Sequence, residues 1–108
     1  MVHLLSRNET GALWGIASAD LNATLLAWPP GHEVAAHTNS EVDVLLIVLE
    51  GGGVAKVDQQ EHALVPGIAL GVEKGSSRVI RAGADGLRYL SVHRRRGPLQ
   101  VAGMPERR

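Results

Sequence analysis

The chain has 108 residues, a length that suits one domain built on one core. Eleven Lys and Arg balance eleven Asp and Glu, so no net field draws the protein onto nucleic acid or an anionic membrane. With no cysteine, disulfide frameworks and thiolate metal sites are both excluded.

Residues 1–6 lack the basic segment and apolar core of a leader, and no apolar run approaches the ~18 residues of a membrane span. A cytoplasmic protein is the expectation. Thirteen glycines and five prolines then cut the chain into short segments rich in Val, Ile and Leu, the rhythm of an all-β sandwich or barrel. Candidate strands cover residues 12–18, 23–28, 42–49, 54–58, 62–65, 68–72, 78–81 and 87–93. Asp20 and Asn22 favour a local side-chain turn, and Pro29, Pro30 and Gly31 stop a strand sharply. Gly51, Gly52 and Gly53 read as the turn of a hairpin. Val44 to Leu49 is apolar at every position, so both faces of that strand need cover: a barrel interior on one side, and a second sheet or a second copy of the chain on the other. A homodimer packed on this strand is one of the two expectations. In the last strand Leu90 and Val92 share one face, with Tyr89, Ser91 and His93 on the other. Residues 97–108 lack periodicity and read as a C-terminal extension.

Gly31 followed after five residues by His37, and a strand closing on Glu50 and Gly51, resemble the first motif of the cupin superfamily. Gly67 and Gly75 stand where its second motif keeps glycines, and fifteen residues separate Gly51 from Gly67, as in small bacterial cupins. The resemblance spans about residues 25–94 and implies an all-β, single-domain jelly-roll β-barrel of the cupin type over residues 1–108.

A cupin metal site uses three imidazoles and a carboxylate, a donor set that suits iron, manganese, nickel, copper or zinc. Here His37 takes the first position and Asn39 replaces the second histidine. At the carboxylate position, counting forward from Asn39 reaches Asp43, and counting back from Gly51 reaches Val44. The last ligand position holds Arg78, which stays protonated and has no lone pair to give. The resemblance therefore implies the fold while its ligand positions speak against the metal.

His37 is a reconfigured ligand or a hydrogen-bonded cavity histidine. Asn39, Glu41 and Asp43 share its face if the segment is extended, unless they form a solvated strand edge. Arg78 contacts a ligand directly or pairs with Asp43 or Glu41, because an unpaired buried charge is costly. His93 sits at the barrel mouth as a ligand or general base, or lies on the surface where the strand exits. His3, His32 and His62 read as exposed, while Trp14 and Trp28 read as core residues whose indole N–H groups find partners. The run Arg94, Arg95, Arg96 has no interleaved aromatics for stacking nucleic acid.

The ligand pocket is thus expected at His37, Asn39, Asp43, Arg78, Tyr89 and His93, binding a small polar or anionic molecule with no cofactor. The alternative is a metal-dependent oxygenase or isomerase holding a divalent transition metal through His37 with Glu41 or Asp43, and with His93 in support. A third expectation is a filled barrel with no cavity. No nucleophile elbow and no phosphate-cradling loop is present in the sequence.

Overall fold

A computed structural model describes residues 3–5 and 9–95; the predicted extension at 97–108 and Arg96 lie outside the described residues. Seven strands make up the fold: β1 Gly11–Ala17, β2 Leu21–Trp28, β3 Glu33–Thr38, β4 Val44–Val57, β5 Gln60–Leu64, β6 Ala69–Val72 and β7 Ser77–Arg94. Among the described residues there is no helix, and hence none long and apolar enough to cross a membrane. The all-β expectation holds.

Two long strands organise the rest. The first limb of β4, from Leu45 to Gly51, pairs with the second limb of β7, from Leu87 to Val92. Past the bend, Gly53 to Val57 pairs with Arg78 to Ala82. Each pairing seeds a half-sheet. On one side β6 and β2 flank the pair, with β1 beyond β2; on the other, β3 and β5 flank it. All pairings are antiparallel.

The bend corrects the hairpin expected at the triple glycine. β4 runs straight through Gly51–Gly53 because the glycines let it press against β7 where both strands pass between half-sheets. A Cβ at Gly51 would collide with the Gly86 carbonyl, and one at Gly53 with the Arg81 carbonyl. The register shifts at the same place, between Val48 and Glu50 and again between Gly51 and Gly53. The real hairpin turn is the next one. Asp58 and Gln59 link β4 to β5 with φ of 47° and 76°, the left-handed pair that matches strand twist in a two-residue loop. Candidate strands 42–49 and 54–58 thus form one strand, as do 78–81 and 87–93. β3 was absent from the predicted set.

The core fills the space between the half-sheets. Val44, Leu46, Val48, Leu87 and Tyr89 come from one side and Ala55, Leu64, Ile80 and Ala82 from the other. The strand 44–49 alternates strictly once folded: Val44, Leu46 and Val48 are buried, while Leu45 on the opposite face is 41% exposed. Among the described residues, no second sheet covers Leu45. Trp14 is half-buried on that outer face, paired with Leu25, and is not part of the core as expected.

Candidate functional site

A cavity of about 390 Å³ opens between the half-sheets, within the range of roughly 300–1,000 Å³ usual for ligand pockets. Leu26 and Trp28 of β2 form one wall, Val34 to His37 of β3 another, and Arg78, Ile80 and Tyr89 of β7 the rest. A filled barrel does not describe this interior.

Local backbone features aim these side chains. In β2 the period of two turns half-buried Leu26 and Trp28 to the cavity, while Leu25 and Ala27 are buried on the opposite face of the sheet. In β3 Val34 pairs with Ile80 and His37 with Arg78, so three residues of β3 span two of β7. This bulge turns both Val34 and His37 to the cavity, although an odd spacing would put them on opposite faces of a regular strand. Arg78 and Tyr89 come from the two limbs of β7 and so from opposite half-sheets.

The polar groups are few and mostly donors. Trp28 Nε1 donates to the Tyr89 hydroxyl at 3.2 Å, the partner expected for that indole. The Trp28 ring stacks on exposed His32, with centroids 4.6 Å apart and planes 12° from parallel. Burial raises the Tyr89 phenol above its usual value, opposed by the Trp28 hydrogen bond and the nearby Arg78 charge. Arg78 is half-buried directly across from His37.

The remaining expected site residues lie elsewhere. β3 ends at Thr38, and the chain then turns on Asn39, whose Oδ1 accepts from the Glu41 and Val42 N–H groups at 2.9 and 3.2 Å. That turn breaks the alternation that would have put Asn39, Glu41 and Asp43 on the face of His37. Asn39 is buried as a structural residue. Asp43 turns outward and accepts the Lys74 N–H at 2.9 Å, and does not line the cavity. Val44, the other residue at the carboxylate position, is in the core. His93 is half-buried near the end of β7, its Nδ1 2.8 Å from the Arg94 carbonyl, and is likewise not in the lining. Of the other histidines His3 and His32 are exposed, but His62, expected to be exposed, is half-buried. Trp28 is the cavity residue that the sequence reading assigned to the core. Its period-two partner Leu26 was the available signal.

Among the described residues no three His, Asp or Glu side chains stand close enough to hold a metal ion. The cavity supplies one imidazole, no carboxylate and a guanidinium, a set that does not fit a transition-metal ion because the cation repels it and the donors are too few.

No protein-family model matches the chain, and no curated protein matches it. Solved structures do. An RmlC-like cupin protein from Desulfovibrio desulfuricans is 18% identical, with 87% of this chain and 94% of that one covered and a TM-score of 0.76. A cupin protein from Bacteroides fragilis is 19% identical over 90% of this chain and 86% of its own, with a TM-score of 0.72. The cupin domain of Cnp3 from Schizosaccharomyces pombe is 17% identical over 87% and 72%, with a TM-score of 0.74.

Proposed function

We propose that this chain, whose fold is that of a small cupin, is a binding protein that holds a small polar or anionic molecule between its half-sheets without a metal ion. The observation that carries the reading is the cavity lining: Arg78 and Tyr89 bring a cation and a hydroxyl to a chamber that, among the described residues, has His37 and the Trp28 indole as its other polar side chains and no carboxylate. A positive charge partly removed from water favours an anionic guest and disfavours a dication. The reading extends to a cytoplasmic protein that acts as a homodimer, with no nucleic-acid or membrane partner.

Elemental analysis of protein purified without chelator tests the metal-free part. Less than a tenth of an equivalent of iron, nickel, copper, manganese or zinc is expected. A stoichiometric metal that His37→Ala abolishes would overturn it. Mass spectrometry of the native protein, followed by release and identification of any small molecule, tests the binding part.

A further inference from the structure

The chemistry of the cavity narrows the guest further than its charge. We propose that the ligand is a small monocarboxylate with a compact apolar body, its carboxylate held between Arg78 and Tyr89 and its body against Leu26, Val34 and Ile80. This rests on the reading of the cavity as a binding site.

The Trp28 indole N–H can only donate, so the Tyr89 oxygen is the acceptor in their 3.2 Å contact. The phenolic proton is not spent on that bond and remains to be donated. The phenol is protonated at neutral pH by its ordinary acidity, and burial raises its pKa further. Arg78 and Tyr89 line the same cavity although they come from opposite half-sheets, so both donor groups face one guest. A guanidinium carries five N–H donors, enough to serve protein neighbours and still meet a ligand. A carboxylate presents two acceptor oxygens and no donor, which complements this pair.

The rest of the lining decides what the carboxylate is attached to. Leu26, Val34, Ala35, Ala36 and Ile80 offer no side-chain hydrogen bond. The hydroxyls of a sugar or polyol would lose water there without replacement. His37, which is exposed, supplies the one further polar group at the edge. A second carboxylate would meet no second cation, since among the described residues Arg78 is the only Lys or Arg in the lining. The volume of about 390 Å³ limits the body to a small one.

Calorimetric titration of the full chain with 3-methylbutanoate and benzoate is the test, set beside 3-methylbutanamide, glutarate, gluconate and inorganic phosphate. Saturable binding of the two monocarboxylates is expected. The neutral amide should bind at least about tenfold more weakly, the loss of one charge-assisted contact. Tyr89→Phe should weaken 3-methylbutanoate by about tenfold for the same reason. Arg78→Gln should abolish binding, with Arg78→Lys restoring part of it if the glutamine variant fails to fold. Binding of gluconate, glutarate or phosphate in preference to the monocarboxylates would overturn the proposal and leave the binding function standing. Equal binding of the amide would overturn it as well. If no probe binds and the purified protein carries no small molecule, the binding function itself falls.

Discussion

Tyr89 is the sole tyrosine of the chain, so its ionisation can be read without interference from another phenol. Burial pushes its pKa above 10.0, and the Trp28 hydrogen bond and Arg78 charge only partly offset that. The ultraviolet titration of the folded protein should therefore have a midpoint above 10.0, with no phenolate signal in Tyr89→Phe. Stability follows with a definite sign. The unfolded chain releases the phenolic proton near pH 10 while the folded chain retains it, so this contribution is fully present below pH 10 and is lost as pH rises through the folded value. Urea midpoints measured on either side of pH 10 should fall more steeply in the parent than in Tyr89→Phe. At neutral pH that substitution should cost about 1 kcal/mol, because it leaves the half-buried Trp28 N–H without its acceptor. Arg78, Tyr89 and His37 were legible as cavity residues because strand alternation and the motif spacing point them inward. Asn39 and Asp43 were misplaced for a local reason: an asparagine side chain captured two backbone N–H groups and ended the strand that would have carried them in.

At the scale of the strand, the four glycines that carried the family resemblance have a common physical explanation. Gly31, Gly51, Gly67 and Gly75 all adopt φ between 76° and 93°, a region costly for any residue with a Cβ. The spacing of the turns was therefore readable without the ligands. The triple glycine misled because the sequence does not say whether a glycine serves conformation or close approach. Gly53 serves the second: its φ is not left-handed, yet a Cβ there would strike the Arg81 carbonyl of β7. Gly53→Ala should thus lower stability by about 2–3 kcal/mol through overpacking. Gly71, also within a strand, has open space where a Cβ would go. Gly71→Ala should be neutral or stabilising by about 0.5 kcal/mol, since alanine loses less chain entropy on folding. Urea unfolding of both variants checks the contrast, and equal effects would mean that the close approach of β4 to β7 does not limit the fold. β3 escaped the sequence reading because Ala35 and Ala36 occupy its centre, where β-branched residues usually signal a strand.

At the scale of the whole molecule, one face is left partly open among the described residues. On the outer side of the five-stranded half-sheet, pairing aligns Ile16, Ala23, Val92, Leu45 and Gly71 in one row and Trp14, Leu25, Leu90, Ile47 and Ala69 in the next. Every member of both rows is apolar or glycine; Ala23 and Leu25 are buried within the subunit, while Ile16 and Leu45, towards the two sides, are 49% and 41% exposed. Charged groups border the rows: the Arg88–Glu50 pair at 3.4 Å near one end, Arg94 and Asp43 near the other. A two-fold axis sets the same patch against itself, so a border with both signs allows each charge on one copy to meet its opposite on the other, while the apolar rows leave water together. A second copy of this chain would supply the cover that the uninterrupted apolar run from Val44 to Leu49 asks for. Sedimentation velocity should show a dimer at micromolar concentration. Leu45→Lys should convert it to a monomer with unchanged far-ultraviolet circular dichroism, because the exposed lysine is tolerated by the folded subunit but places two like charges within a desolvated interface. Val54→Lys is the control, since Val54 is comparably exposed, at 39%, but lies on the outer face of the other half-sheet. The parent melting temperature should also rise with protein concentration while that of Leu45→Lys stays flat, as mass action requires when only the folded state associates. A parent that sediments as a monomer, or a dimer that Leu45→Lys leaves intact, would place the interface elsewhere or remove it.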